Sequence, residues 1–354
     1  MKAAFPILIL ALCEPAKALS ISGVIRRLKA EIPHAHITLV TGKSAAELYQ
    51  DDDGIDDLQV FDGPWLSLAG VKLAWRLSKQ KWGLFADIGR DPVVAFLSRF
   101  LQSKTRFILD RANPAGPLAQ LRQKLHLDGE AGPELRVDPA REAGVRTFLN
   151  DTRGEGRPVI VMAPGAAWLG KRWPTERFTV LATRLMREDG PYSNGRLLII
   201  GSQADHEAAV ALRMATPRAQ VMELTGKLDL LSAYAAIRHG DVFIGNDDIW
   251  LHLAAAAGIE SFGLFGPTDD VDAPEGDLDR DNVHIVRGPR GFEAIRQADP
   301  KLRQSVCHML DLSIDTVYEN IRAVAESRKA EPKSEPRPEP EPDSSPEPEP
   351  AEAL

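Results

Sequence analysis

Cysteine is nearly absent from this sequence, and the two that occur form no motif. Cys13 and Cys307 are the only cysteines among 354 residues, and no C-x-x-C pair is present. Neither a disulfide framework nor a zinc site is therefore indicated, and no other metal site is predicted. So little cysteine is typical of a protein in a reducing compartment, so the sequence predicts a cytoplasmic protein.

Long apolar runs are also missing. No stretch approaches the roughly 18 apolar residues that a membrane-spanning helix needs, so no transmembrane segment is predicted. The run "ILILAL" near the start has two interpretations, the first buried strand of a sheet or the core of a secretory signal. Its short length, Pro6 and the nearby Glu14 favour the strand.

A surplus of basic residues is absent as well. The formal net charge is −8, and residues 331–354 alone carry seven Glu, one Asp, one Lys and one Arg, which leaves about −2 for the rest. A nucleic-acid partner is not expected, because such a partner requires a basic face. The segment 329–354 is rich in proline and acid, which predicts a disordered tail that serves as a solubilising segment or a docking arm.

What the sequence has is regular alternation of strand-like and helix-like segments, the pattern of parallel βαβ units. It runs from "ILILAL" to "TRFIL", pauses in a polar region with Gly and Pro at residues 128–157, and restarts at "PVIVMAPG". The fold class is therefore α/β, with a Rossmann-like domain over residues 1–150 and a second over 151–328. Ligands of such sheets bind beyond the carboxyl ends of the strands. The loops "PGAAWLGKRW", "GSQADHE", "LTGK", "GNDD" and "FGPTD" should thus face one cleft.

Two long motifs carry a family resemblance. The segments "APGAAWLGKRWPTERFTVLATRL" and "LTGKLDLLSAYAAIRHGDVFIGNDDIWLHLAAAAGIESFGLFGPTD" occur in order. They resemble glycosyltransferase family 9, the lipopolysaccharide heptosyltransferases, and the resemblance extends over residues 5–325. It implies a GT-B fold with an N-terminal acceptor domain and a C-terminal domain for a nucleotide-sugar donor such as ADP-heptose.

The same resemblance implies inverting transfer without a metal or other cofactor, to a lipopolysaccharide-core or related glycolipid or oligosaccharide acceptor. The resemblance places the protein in the cytoplasm. It leaves open whether the protein lies at the inner face of the inner membrane through a peripheral contact. A departing diphosphate then needs cations and N–H donors for stabilisation.

Several residues match the donor site of the family. Lys171 matches its phosphate-contacting lysine, and the backbone of Gly165 and Ala166 can add N–H donors. Thr225 and Gly226 resemble the turn near the nucleotide base. Either Asp205 or Glu207 could bind a ribose hydroxyl, and both could equally be solvent-facing charges in a first helical turn. Trp173 is interpreted as a packing residue beside a helix cap at Thr175.

One departure lies at the start of a helix, where the family pattern is N-D-S/T-G-x-x-H. Asn246, Asp247 and His252 match, but Asp248 replaces the small hydroxyl residue and Ile249 the glycine. Aspartate is a favourable N-cap residue, so Asp248 is expected to be the N-cap of this helix. Its added carboxylate repels phosphate, so it is also expected to weaken ADP binding. His252 is either a ligand contact or a packed helix residue.

A second departure lies in the first loop. The family's G-D-x-x-x-T-x-P loop aligns with Ala16, Lys17 and Gly23, so Lys17 occupies the position of the aspartate that resembles a general base. A charged lysine cannot accept a proton. Glu14 is the nearest substitute, with Asp87 and Asp91 as others, and the sequence assigns no base.

Three functions stay open at this stage. The first is an active glycosyltransferase of the heptosyltransferase type. The second is a degenerate family member that acts as a binding or scaffold protein, as the two departures together would suggest. The third is another GT-B enzyme such as a nucleotide-sugar epimerase, although no strong catalytic acid stands out in the sequence.

Overall fold

Two parallel β-sheets organise the chain. The computed structural model describes residues 4–32, 34–64, 66–89, 98–110, 117–125, 133–152, 156–268 and 281–330. The first sheet consists of β1 (Phe5–Ala11), β2 (Ala35–Thr41), β3 (Asp57–Val60), β4 (Lys81–Asp87) and β5 (Gln102–Ile108). The second consists of β6 (Val159–Ala163), β7 (Arg196–Ile199), β8 (Val221–Glu223), β9 (Val242–Asn246), β10 (Glu260–Phe265) and β11 (Val283–Arg287).

Helices connect the strands and cover the sheets. Those associated with the first sheet are α1 (Pro15–Leu19), α2 (Ile21–Glu31), α3 (Lys43–Ala46), α4 (Leu68–Ser78) and α5 (Pro117–Leu125). Then follow α6 (Pro139–Thr152), α7 (Thr175–Met186), α8 (His206–Ala215), α9 (Leu230–Ile237), α10 (Ile249–Ala257), α11 (Phe292–Ala298) and α12 (Ile314–Ala330). No helix within the described ranges is long and apolar enough to cross a membrane.

The first sheet has β1 at its centre, in the strand order β3-β2-β1-β4-β5. Both neighbours pair with β1 in parallel, with Ile9 opposite Leu39 on one side and Ala86 on the other. A strand buried on both faces reads as a continuous apolar run, which explains "ILILAL". The strand interpretation of that segment is confirmed.

The second sheet has the order β11-β10-β9-β6-β7-β8, again with parallel pairs throughout. β6 and β9 lie at its centre and are buried along their whole length. The order reverses between them, so the loops after β6 and β9 diverge at a crevice. The predicted α/β class with two Rossmann-like sheets is confirmed.

Some local predictions were incomplete or wrong. The polar region 128–157 contains α6, which packs against α9 of the second sheet. The apolar residues of α6 are too sparse to give a clear helical pattern in the sequence. Thr175 is the first residue of α7 rather than its cap, because Pro174 occupies the N-cap position without a side-chain hydrogen bond. The segment "PVVAFLSRFLQ" (residues 92–102) also predicts a helix in sequence; part of it lies outside the described residues, and β5 already begins at its last residue, Gln102.

Arg141 on α6 links the two halves. Its guanidinium donates to Asp51 of the first half at 2.7 Å and to Asp229 and Ser232 of the second at 2.7 and 2.9 Å. The hydrogen bond from Arg141 is the main reason that the pKa of Asp51 lies below its usual value. One arginine therefore contacts residues of both halves of the chain. The predicted disordered tail comprises residues 329–354; α12 extends to Ala330, so the first two of these residues are helical, and residues 331–354 lie outside the described residues.

Candidate functional site

A cleft of about 510 Å³ opens at the carboxyl ends of the second sheet. Loops after β6, β7, β8 and β9 line one side of it, and Pro15, Ser44 and Glu47 of the first half line the other. Four of the five loops that were expected to share a cleft therefore do so. The fifth, after β10, reaches the same region through Thr268, whose hydroxyl donates to Asp247 at 2.5 Å.

Lys171 and Asp247 form an ion pair next to this cleft. Lys171 ends a short 3-10 turn in the loop after β6, and its Nζ lies 2.6 Å from Oδ2 of Asp247. The Asp247 side chain is only 7% exposed and the Lys171 side chain 24%. Water screens such a pair less than a surface pair, so the ammonium is held at the start of α10. Lys171 therefore lies close to the start of α10, but only the helix start is part of the described cleft lining, so the expectation that both line one cleft wall stays a prediction.

Asp248 caps α10, as predicted. Its carboxylate accepts a hydrogen bond from the backbone N–H of Ile249 at 2.6 Å. Burial raises the pKa of Asp248, the hydrogen bond from Ile249 opposes this, and the nearby carboxylates of Asp205 and Asp247 raise it further. The position that attracts an anion at a helix start is therefore occupied by the protein's own carboxylate.

His252 lies one turn further along α10, inside the protein. It is 2% exposed, and its Nδ1 has no hydrogen-bond partner among the described residues. Burial lowers the pKa of His252 to about 4, against the opposing effect of Asp247. The imidazole is thus neutral at pH 7 and packed behind the cleft wall. A direct ligand contact by His252 stays a prediction.

Asn246 holds the two diverging loops together. It is fully buried at the end of β9 and donates from Nδ2 to the carbonyl oxygens of Pro164 and Gly165 at 3.0 and 2.9 Å. Its Oδ1 accepts from the backbone N–H of Trp173 at 3.0 Å. Trp173 itself is buried and packs on Phe178, as predicted. Sequence analysis noted Asn246 as part of a motif but missed this bracing role.

Asp205 is buried rather than solvent-facing. It completes a capping box with Ser202, accepting from the backbone N–H at 2.9 Å and from the hydroxyl at 2.7 Å. Gly165 packs directly against it, since a Cβ on Gly165 would lie 2.0 Å from the Asp205 carboxyl carbon. The guanidinium of Arg172 lies 3.8 Å from the other Asp205 oxygen. Glu207 is exposed on the first turn of α8 and is absent from the described cleft lining.

Thr225 and Gly226 form the turn after β8. Gly226 has a φ of 68°, in the left-handed region, and a Cβ there would lie 3.0 Å from the Cα of Gln203. Its N–H donates to the carbonyl of Gly201 at 2.9 Å. The backbone N–H of Thr225 donates to Glu223 at 2.8 Å, and its hydroxyl contacts the same carboxylate. Gly226 lines the cleft, whereas Thr225 is buried beneath it.

The first half presents Glu14 and Lys17 beside the cleft. Glu14 is the N-cap of α1, Lys17 lies in that helix, and both are exposed. Pro15 between them lines the cleft. Asp87 is buried at the end of β4, and Asp91 lies outside the described residues. The identity of a general base therefore stays a prediction.

The cleft lining is acidic. It includes the carboxylates of Glu47, Asp205 and Asp248, and among its described residues there is no lysine or arginine. Lys171 and Arg172 lie just behind, each held by an aspartate. Ser44 and Glu47 were not predicted as cleft residues from the sequence. Nothing in the local sequence pattern around them shows that this part of the first half faces the second half.

Comparison with known proteins identifies the class. A family model described as glycosyltransferase family 9 (heptosyltransferase) matches residues 118–293, which include every donor-side position discussed above. The chain belongs to this family. Lipopolysaccharide heptosyltransferase 3 of Escherichia coli is 27% identical over 140 residues, which is 39% of this chain and 39% of that protein. The match thus spans about two fifths of the relative's length.

Solved structures show the fold over nearly the whole chain. The crystal structure of a family 9 glycosyl transferase from Veillonella parvula DSM 2008 has a TM-score of 0.76 at 17% identity, covering 92% of this chain and 99% of that one. The structure of E. coli ADP-heptose lps heptosyltransferase II has a TM-score of 0.69 at 18% identity, covering 92% and 100%. The fold is therefore GT-B.

Proposed function

We propose that this protein is a glycosyltransferase that transfers a sugar from ADP-heptose, or a similar nucleotide-diphosphate sugar, to a hydroxyl of a lipopolysaccharide-core or related glycan. The observation that carries the proposal is the position of Lys171. Its ammonium lies at the start of α10, beside the cleft and inside the family 9 segment. The E. coli protein of similar fold is described as an ADP-heptose heptosyltransferase, which supports this donor class.

Some residues beside the cleft favour the binding of a diphosphate, and one residue opposes it. Lys171 can stabilise the negative charge that develops on the departing diphosphate, provided that it shares its ammonium between phosphate and Asp247. Close packing at Gly165 brings the backbone of the β6 loop up to the cleft. Asp248 opposes binding, because its carboxylate occupies the helix start. The expected result is a donor site of reduced affinity.

The test is direct transfer. The purified protein is incubated with ADP-heptose and a core oligosaccharide, and the product is followed by mass spectrometry together with release of ADP. The proposal expects an acceptor that gains one heptose, and strongly reduced transfer in Lys171→Met. A matched control is Lys301→Met, which removes an exposed lysine that is absent from the described cleft lining. No product with any heptose acceptor, although ADP-heptose binds, would contradict the proposal.

A second candidate is a degenerate family member that no longer transfers sugar and acts as a binding or scaffold protein. Two observations favour it: Asp248 fills the helix start, and an exposed lysine, Lys17, occupies the position of the expected base. This candidate predicts weak or undetectable ADP binding by calorimetry and tighter binding in Asp248→Ser/Ile249→Gly. It also predicts that transfer is seen only when Lys17→Asp is added. Efficient transfer by the unmodified protein excludes this candidate.

A further inference from the structure

A second cavity lies at the end of the second sheet opposite the cleft. Val159 and Arg196, which begin β6 and β7, line it together with Val221, the first residue of β8. The cleft begins beyond the other end of β7, where Gly201 lies five residues from Arg196. At about 3.3 Å per residue, the two sites are roughly 16 Å apart along the strand. A ligand in this second cavity therefore lies outside the cleft.

The walls of the second cavity are mostly apolar. Successive side chains of a strand point to opposite faces, so Arg196 and Leu198 share one face of the sheet, and Met222 of β8 pairs with Leu198. Leu149 of α6 belongs with Leu198 to one apolar cluster, against which Met222 packs. The cavity is thus a space between a helix and the edge of the sheet. Its volume of about 360 Å³ is within the range of small-molecule sites.

The lining also carries cationic groups. Arg196 is half-buried, Arg218 is exposed in the 3-10 turn that leads into β8, and His239 follows α9. None of the described lining residues is an aspartate or a glutamate. Two carboxylates lie nearby but outside the lining. Glu142 is 3.3 Å from Nε2 of His239, and Asp241 accepts from a backbone N–H at 2.6 Å. The two arginines therefore leave the second cavity positively charged.

This charge is opposite to that of the cleft, whose described lining contains three carboxylates and no lysine or arginine. A guanidinium binds a carboxylate through paired N–H groups, and apolar walls favour a hydrocarbon body. An inorganic anion would use the arginines and leave the apolar walls against water, whereas an uncharged hydrocarbon would not use the arginines. The lining is therefore complementary to a ligand that has both parts.

We propose that this second cavity, lined by Leu149, Arg196, Leu198, Arg218 and Met222, binds a small organic carboxylate with an apolar body. A water molecule takes about 30 Å³ in the liquid, so the cavity has space for on the order of ten non-hydrogen atoms. A medium-chain aliphatic carboxylate has this size and both kinds of group. The proposal goes beyond sugar transfer and does not depend on the donor site.

The experiment is titration calorimetry of the full chain with octanoate, acetate and 1-octanol. Acetate has the charge without the chain, and 1-octanol has the chain without the charge. The proposal expects one octanoate per chain and at least roughly tenfold weaker binding of either partial ligand, because a charge-assisted hydrogen bond contributes about that factor. ADP, which belongs to the cleft, should not displace octanoate.

Two variants test the two parts of the cavity. Arg218→Gln should weaken octanoate binding about tenfold and leave 1-octanol binding unchanged. Met222→Ser should weaken the binding of both ligands several-fold, because it removes apolar wall, and thermal unfolding checks that it folds. Arg296→Gln removes an exposed arginine that is absent from the described lining, so it is the matched control and should bind octanoate like the unmodified chain.

Three results would overturn the proposal. The first is no binding of octanoate, or equal binding of octanoate by Arg218→Gln and the unmodified chain. The second is displacement of octanoate by ADP, which would place the ligand in the cleft. The third is tighter binding of the peptide EPEPDSSPEPEP, residues 339–350, in competition with octanoate, which would assign the cavity to the chain's own acidic segment. None of these results bears on sugar transfer, so failure here is distinct from failure of the proposed function.

Discussion

Asp248→Asn should tighten ADP binding without loss of stability. Asparagine and aspartate are equally good N-caps, so the hydrogen bond from the N–H of Ile249 can be kept while the charge is removed. The helix start then offers its N–H groups and the positive end of its dipole to phosphate without competition from a carboxylate. This is the smallest change that tests whether Asp248 blocks the site.

The magnitude follows from the surroundings of the carboxylate. Asp248 is half-buried beside Asp205 and Asp247, and burial raises its pKa, which shows that its charged form is disfavoured in the folded protein. A carboxylate near a diphosphate, at a partly screened distance, costs on the order of 1 kcal/mol or more. ADP affinity should therefore rise about fivefold or more in Asp248→Asn.

The pH dependence has a definite sign. A carboxyl whose folded-state pKa is raised destabilises the protein when charged, and this cost disappears as pH falls through the folded pKa. Asp248→Asn should thus be more stable than the unmodified protein at neutral pH, and the difference should shrink in acid. The gain in ADP affinity should shrink over the same range, because protonated Asp248 no longer repels phosphate.

Titration calorimetry with ADP and thermal unfolding, each at several pH values, check this prediction. Asp241→Asn is the control, because it removes an exposed carboxylate that accepts from the N–H of Val159 at the opposite end of the strands. If Asp248→Asn binds ADP no better than the unmodified protein, or no better than Asp241→Asn, Asp248 does not block the site.

Three further changes test the contacts around the cleft. Lys171→Met should cost about 1–2 kcal/mol of unfolding free energy, because it leaves the buried Asp247 unpaired, and it should weaken ADP binding in calorimetry. Arg141→Ala should lower unfolding free energy by about 1–3 kcal/mol at pH 7 in denaturant titration, since Asp51, Asp229 and Ser232 lose its hydrogen bonds. The pKa values of Asp51 and Asp229 are lowered in the folded protein, so this difference should shrink as pH falls below their usual value near about 4. Gly165→Ala should cost about 1–3 kcal/mol in thermal unfolding, because its Cβ would overlap Asp205.

Each of these changes has a control within the chain. Lys171→Met/Asp247→Asn should recover stability but not ADP affinity, and recovery of both would show that Lys171 does not contact phosphate. Arg146→Ala on the same helix removes an exposed arginine and should have little effect. Gly144→Ala, with nothing within 4 Å of its Cβ, should stabilise α6 by roughly 0.5–1 kcal/mol. If Gly165→Ala also stabilised the protein, the argument that a Cβ at position 165 overlaps Asp205 would be refuted.

The architecture could be predicted from sequence because parallel strands buried on both faces give continuous apolar runs. "ILILAL" and "VFIGN" are such runs, and they form the central strands β1 and β9. Elements at the edges of the fold were harder to predict from the sequence. β11 and α6 are only partly buried, so their apolar pattern is weak, and each owes its place to packing against a neighbour.

The sequence by itself also determined which residues end the strands of the second sheet, and hence that Lys171 and Asp248 lie at one edge. Only the tertiary structure decided their partners. Lys171 meets a carboxylate 76 residues away, and Glu47 reaches the cleft from the other sheet. It also decided that α4 turns Leu73 inward and leaves Trp75 in solvent. Local patterns record how apolar each position is, whereas ion pairs and exposure depend on which distant segments pack alongside.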